Sequence, residues 1–293
     1  MNLPERIAAR VELLLAAVPD RAASRAFLER LRAEAPSAFE RVLSSTAALK
    51  CALYVSSYSR FLSDAALKNP ERILQVANSG SLYRVLSVED YQKRLAEFLG
   101  ESLPTAVDFA RFRRRQLLRI VLRDVLGVAT LANVTEELSN LADAILDAAY
   151  RQKRAELALR HGEPMLADGG VCGLSVIALG KLGGKELNYS SDIDLMFVYG
   201  SNGETSGPDI VTNKEFYKKV ANEYTALLST YTADGQCYRV DLRLRPEGAL
   251  GEVCISQDAA AAYYSERARD WEKQMLIKAR ISAGDVEPGA ALL

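Results

Sequence analysis

GKLGGKELNYSSDIDLMFV, residues 180–198, decides what kind of core this chain builds. Its second half, Asp192 to Val198, reads as a β-strand. Residues two apart on an extended strand share a face, so Asp192 and Asp194 point the same way. A rise of about 3.3 Å per residue sets their Cα atoms about 6.5 Å apart. Ile193, Leu195 and Phe197 fill the opposite face, which gives the strand an apolar side and an acidic side. Two carboxylates on such a strand repel each other and call for a compensating cation. Hard divalent ions such as Mg²⁺ take oxygen ligands of this kind, commonly shared with substrate phosphate. Gly180, Gly183 and Gly184 allow close backbone approach to a phosphate, and Lys181 and Lys185 add positive charge. The turn is not a Walker A loop: Glu186 follows Lys185 where Ser or Thr would stand. A bare Asp-x-Asp by itself more often marks a solvated pair at a strand start.

Working outward, VCGLSVIAL (171–179) is a short apolar run suited to a buried strand. Thr212 and Glu215 form a capping box that opens a helix with Phe216, Val220, Tyr224, Leu227 and Tyr231 at helical spacing, ended by Gly235. CYRVDLRLR (237–245) alternates: Tyr238, Val240, Leu242 and Leu244 on one face, Cys237, Arg239, Asp241, Arg243 and Arg245 on the other. Placed beside Asp192 and Asp194 in one sheet, Asp241 supplies a third carboxylate. Arg243 and Arg245 then suit the oxygens of a metal-bound phosphate ester. From Ala259 the pattern returns to helix, through Tyr263, Tyr264 and Trp271 to about Ile281, with the aromatics expected in the core.

Residues 1–165 read as helix after helix, punctuated by Pro19, Pro36, Pro70 and Pro104. Gly162, Pro164, Gly169 and Gly170 suggest a linker. The expected organisation is therefore a helical region 1–165, a core 166–256, and a further helical region from 257 to 293. Arg111, Arg113, Arg114, Arg115, Arg119 and Arg123 make a basic helix, expected to be a solvated or interdomain face because helical spacing scatters them. His161 is expected in a surface loop.

Composition narrows the chemistry. The 293 residues carry 37 Lys+Arg against 38 Asp+Glu, which gives no general reason to bind a polyanion or nucleic acid. A single histidine excludes His-rich metal sites. Cys51, Cys172, Cys237 and Cys254 contain no Cys-x-x-Cys pair, and reduced thiols suit a cytoplasmic protein. No run of 18 apolar residues occurs. The N-terminal stretch scans as an amphipathic helix through Ile7, Val11, Leu14, Leu15 and Val18.

Together, VIALGKLGGKELNYSSDIDLMF, YRVDLRLRPEGALGE and DWEKQMLIKAR closely resemble the glutamine synthetase adenylyltransferase/deadenylylase family. The likeness reaches back through FRRRQLLRIVLRDVLGVATLANVTEELSNLADAILDAA and covers roughly residues 50 to 285. It implies an α+β fold: a nucleotidyltransferase β superfamily core, with a mixed sheet and helices, preceded and followed by helical regions. It matches Asp192, Asp194 and Asp241 to metal-binding, catalytic carboxylates holding two Mg²⁺ ions. Gly180, Lys181 and Ser191 match the nucleotide-binding turn, with Arg243 and Arg245 beside it. Lys278 and Arg280 fall in the family's KAR segment, where phosphate contact and a salt bridge are both open.

KELNYSSDIDL and YRVDLRLRP resemble the N-terminal, AMP-removing half of that tandem enzyme. The implied activity is deadenylylation of glutamine synthetase by phosphorolysis of its tyrosyl-AMP linkage, releasing ADP, in the control of nitrogen assimilation. The implied partners are glutamine synthetase, the PII signalling protein, and phosphate with ADP, or ATP. Two rivals stand beside it: adenylyl transfer from ATP on the same carboxylates, and a non-catalytic piece that binds glutamine synthetase or PII. A metal-dependent glycosyltransferase is disfavoured by YRVDLRLRP. The sequence ends soon after KARISAGD, before helices that complete the family's unit. The expectation is a folded but weakly active chain whose helix carrying Trp271, Met275 and Lys278 wants a partner.

Overall fold

A computed structural model describes residues 4–293; residues 1–3, the start of the expected N-terminal region, lie outside it. The described residues divide into two compact units, one of residues 4–86 with 114–137, the other of residues 87–113 with 138–293. The division therefore does not fall at 165/166, nor is 257–293 a region apart.

The first unit is helical. It contains α1 (Glu5–Ala16), α2 (Arg21–Glu34), α3 (Pro36–Ser44), α4 (Thr46–Tyr58), α5 (Arg60–Lys68) and α6 (Glu71–Asn78). Short polar residues start α2, α4 and α5 by accepting from free backbone amides. Asp20 accepts from Ala23 N at 2.9 Å, Ser45 from Ala48 N and Ser59 from Leu62 N at 3.2 Å each. The amphipathic stripe of α1 buries Val11 and Leu15, while α4 buries Leu49, Cys51, Leu53 and Val55.

Arg119 and Arg123 are the main surprise here. They lie one turn apart on α8 (Ala106–Val125) and are 2% exposed. Glu137, at the unit's edge in α9 (Leu131–His161), receives both: Arg119 Nη1 on one carboxylate oxygen, Arg123 Nε on the other at 3.1 Å. Leu86 N donates to Glu137 at 2.9 Å, and Arg123 donates to the carbonyls of Leu82 and Arg84 at 2.7 Å. These two arginines are not on a solvated face. A segment with orphan carbonyls and a buried carboxylate gives them somewhere to go.

The second unit holds α7 (Val88–Leu99) and a mixed five-stranded sheet: β1 (Leu174–Ala178), β2 (Ile193–Tyr199), β3 (Val240–Asp241), β4 (Cys254–Ser256) and β5 (Arg280–Gly284). The order is β3-β2-β1-β5, with β4 also on β2. β1 runs antiparallel to β2 and β5; β3 and β4 run parallel to β2. β1 is buried throughout, as expected for a strand covered on both faces. α11 (Asn213–Ser229) starts at the Thr212/Glu215 capping box and lies on one sheet face, where Phe197 meets Tyr224 edge-on at 5.8 Å. α12 (Gln257–Glu266) covers the other with Tyr263 and Tyr264 against Ile177, Leu179, Met196 and Val198. Short helices complete the unit: α10 (Gly180–Gly183), α13 (Asp270–Met275) and α14 (Glu287–Ala290).

Several expectations are corrected in this unit. Helix α11 stops at Ser229, leaving Tyr231 outside it and 83% exposed. Trp271 is 49% exposed rather than core. The expected helix to Ile281 is interrupted between Glu266 and Asp270 and ends at Lys278, and Ile281 lies on β5, paired with Ile177 of β1. His161 is the last residue of α9 and fully buried; its Nδ1 lies 2.7 Å from Asp209 O and its Nε2 3.2 Å from Lys219 Nζ. The expected linker at Gly162 is packed backbone to backbone: φ there is +75°, and a Cβ would stand 2.2 Å from Gly207 N.

Candidate active site

The parallel pairing of β2 with β3 is in register, Ile193 with Val240 and Asp194 with Asp241. Neighbours in register share a sheet face, so Asp194 and Asp241 stand side by side, with Cα atoms about 4.8 Å apart. One step back, Asp192 lies just before β2 and its carboxylate is ion-paired with Arg239 Nε. All three aspartates thus gather at the end of β2 where the sheet face is not yet covered. Further along the same face the residues are Met196 and Val198, packed under the tyrosines of α12.

The three carboxylates differ in what they face. Among the described residues Asp194 has no hydrogen-bond or ion-pair partner for its side chain. Partial burial pushes its acid group up from the ordinary aspartate value, and the neighbouring charges of Asp241 and Asp192 push it further. Asp241 goes the other way. Arg243 donates from Nε at 2.8 and 3.0 Å and from its backbone N at 2.8 Å, which holds the carboxyl below the usual range. Asp192 is more open than Asp241, their side chains being 39% and 14% exposed.

Gly180 closes the site from β1. It sits at φ +55°, and a Cβ there would stand 2.7 Å from Asp194 Oδ2. The requirement for glycine is therefore double: a left-handed backbone and contact with the carboxylate. Lys181 is exposed beside it. Ser191 caps the loop into β2, donating from Oγ to Asn188 Oδ1 at 2.6 Å. Lys185 turns away from the carboxylates and binds Asn140 and Asp143 of α9, at 2.7 and 3.1 Å.

The strand carrying Asp241 is shorter than its alternation implies, two residues instead of nine. The edge of β2 beyond Asp194 is taken by β4, from Phe197 to Tyr199, so the chain must leave the sheet after Asp241. The turn folds Arg243 back onto Asp241. Arg245 goes into the loop, donating to the carbonyls of Leu242 at 2.6 Å and Gly251 at 3.1 Å, and so does not reach the carboxylates. Lys278 pairs with Glu186 at 2.7 Å, and Arg280 with Asp143 at 2.8 Å.

A hard divalent cation suits the donor set: carboxylate oxygens only, one of them without a partner and already short of negative-charge compensation. The side chains as they stand are not yet arranged for it. Among the described residues no three acidic, His or Cys side chains are gathered closely enough to hold one ion. Arg239 and Arg243 occupy the outer two carboxylates and would have to yield them.

Reading the sequence missed Arg239 as a partner of Asp192, though its alternation already set it on the Asp241 face. It also missed Ser139, Asn140 and Asp143 of α9. Their signal was present: polar residues in the middle of an apolar helical stripe, with Asn140 and Asp143 nearly buried.

A family model described as glutamate-ammonia ligase adenylyltransferase matches residues 49–293. Relatives described as bifunctional glutamine synthetase adenylyltransferase/adenylyl-removing enzyme are similar along most of the chain. That of Thioalkalivibrio sulfidiphilus is 37% identical over 238 residues, 80% of this chain and 24% of the relative. That of Pseudomonas syringae pv. tomato is 37% identical over 247 residues, 82% and 25%. That of Nitrosococcus oceani is 38% identical over 254 residues, 84% and 26%. The chain spans about a quarter of the length of these curated relatives.

Proposed function

Since the chain belongs to the glutamate-ammonia ligase adenylyltransferase family, we propose that it removes AMP from adenylylated glutamine synthetase by phosphorolysis. The observation that supports this most is the in-register pair Asp194/Asp241, with an unpartnered, half-buried Asp194 directly beneath a glycine turn. The resemblance of KELNYSSDIDL and YRVDLRLRP to the N-terminal half of the family supports removal over addition.

In the proposed reaction an oxygen of orthophosphate bonds to the AMP phosphorus. The bond to the tyrosine oxygen breaks, and its electron pair leaves on the phenolate. The phenolate takes up the proton carried by hydrogen phosphate, giving ADP and free tyrosine. A phenol of pKa about 10 leaves far more readily than an aliphatic alcohol, so no dedicated general acid is required. Asp192, Asp194 and Asp241 would hold Mg²⁺, which supplies charge neutralisation at the phosphoryl oxygens. Arg239 and Arg243, with side chains 62% and 76% exposed, are free to exchange a carboxylate for a phosphoryl oxygen. Gly180 lets backbone come close to the nucleotide where any side chain would intrude.

PII as a regulator and a cytoplasmic setting belong to the same proposal. Among the described residues no helix is long and apolar enough to cross a membrane. The test supplies adenylylated glutamine synthetase, orthophosphate and Mg²⁺ to this chain and measures ADP. ADP release that requires phosphate is expected. AMP incorporation from ATP into unmodified glutamine synthetase, without phosphate-dependent ADP release, would reverse the assignment. Binding with neither reaction would make the chain a docking module.

A further inference from the structure

The glycine turn that overhangs Asp194 is not self-supporting, and its support comes from an acidic residue outside the carboxylate site. Asp143 projects from the middle of α9 with its side chain 4% exposed. It takes Lys185 Nζ at 3.1 Å, Arg280 Nη2 at 2.8 Å and the Ser282 hydroxyl. Arg280 Nη2 also donates to Leu182 O at 3.0 Å, inside the turn itself. On the flank, Lys185 Nζ donates to Asn140 at 2.7 Å, and Leu187 N donates to Ser139 Oγ at 3.2 Å. On the other flank the fit is backbone on backbone: a Cβ on Gly183 would lie 2.3 Å from Lys278 O. The turn is thus held between one face of α9 and the start of β5, with its remaining side over Asp194.

Lys185 makes the arrangement informative. Its φ of +58° is a left-handed backbone that a lysine adopts at a cost glycine would not bear. Gly184 immediately before it shows that the chain can place glycine in this turn. The lysine side chain goes to Asp143, a partner that glycine could not supply.

We infer that Asp143 is a positioning residue, which, through Lys185 and Arg280, sets the Gly180–Gly184 turn at the height over Asp194 that a metal-bound nucleotide requires. The inference rests on the proposed nucleotidyl function and assigns the KAR arginine, Arg280, to the turn rather than to phosphate. A buried carboxylate between two cations could equally serve only to hold the fold together, so the test must separate the two roles.

Lys185→Gly separates them. It removes the ammonium and at the same time relieves the left-handed backbone, so a purely structural role predicts unchanged MgADP binding, with the melting midpoint moved only by the balance of the lost ion pair and the relieved backbone. The measurement is MgADP affinity by calorimetry, on the full chain, with the thermal midpoint read in parallel. The expected result is binding weakened about tenfold in Lys185→Gly and in Asp143→Asn, the scale seen when an outer support of a bound group is removed. Lys185→Arg, which keeps a cation within reach of Asp143, should bind as the parent does. Parent-like affinity in Lys185→Gly overturns the inference, whatever happens to Asp143→Asn. If the parent itself binds no MgADP, the nucleotidyl reading fails and the inference with it, a result distinct from equal binding by parent and variant.

Discussion

Each unit of this chain collects charged side chains, and the two collections are built to opposite rules. In the helical unit Arg119, Arg123 and Glu137 are almost wholly buried, and their polar atoms are turned onto one another and onto the carbonyls of residues 81–84. In the sheet-bearing unit Asp192, Asp194 and Asp241 lie at a strand end. Arginines hold the outer two from exposed positions, and the middle one is left without a partner. The first cluster is sealed from solvent and paired within itself, with Arg123 Nε 3.1 Å from Glu137 Oε2 as an ion pair outside hydrogen-bond geometry. The second keeps unspent negative charge, held in place by a sheet. A buried ionic cluster paired within itself contributes geometry; one that is open and reachable can take a ligand.

The sharpest way to break this contrast is Asp194→Asn. Phosphate-dependent ADP release should fall by about 10³-fold or more, roughly 4 kcal/mol of transition-state stabilisation. The melting midpoint without Mg²⁺ should not fall. Asp194 titrates above its unfolded value, so native chain binds this proton more readily than unfolded chain. Its charged form therefore costs stability as pH rises through the aspartate range, and the amide removes that cost. Near-parent activity in the variant would remove Asp194 from the chemistry.

Glu137→Ala probes the closed cluster and should act on stability instead. Two buried guanidinium groups would lose their carboxylate, at a cost of about 3–5 kcal/mol in denaturant unfolding. A change below about 1 kcal/mol would mean that the surrounding carbonyls suffice without it.

The smallest effect sharpens the open cluster. Arg243 competes for Asp241 with any incoming cation, so Arg243→Ala should bind Mn²⁺ a few-fold more tightly in the absence of nucleotide, an exposed ion pair being weak. Paramagnetic resonance of free Mn²⁺ measures this directly. Weaker metal binding in the variant would show that Arg243 orders the site rather than guarding it.

Much of the site was legible before any coordinates. The Asp192/Asp194 spacing, the face shared by Arg239 and Asp241, the Thr212/Glu215 cap and the glycine turn all depend on residues within a few positions of each other. Backbone period and capping chemistry act over that range. The alternation of 237–245 overstated its strand because alternation records which side a residue can show, not whether an edge is free to pair. The basic run on α8 had the same weakness. Helical spacing places Arg119 and Arg123 on one face, but which face is covered depends on residues 81–86 and on Glu137.

What the sequence determined by itself was the α+β class, the family, and the residues that form the acidic strand end. Those follow from local periodicity and from long motifs read in order. Only the tertiary structure decided the destinations of the long cationic side chains: Arg243 onto Asp241, Arg245 into its loop, Lys185 and Arg280 onto Asp143. It alone also placed residues 280–284 in the sheet beside β1 rather than in a helix. Arg243 and Arg245 bind partners near in sequence, and what turns them there is β4 taking the edge of β2; for Lys185, Arg280 and β5 the reason lies farther off. An arginine or lysine reaches several partners at similar cost, and a strand needs an open edge. Both are settled by what distant segments bring alongside, which no short stretch of the chain encodes.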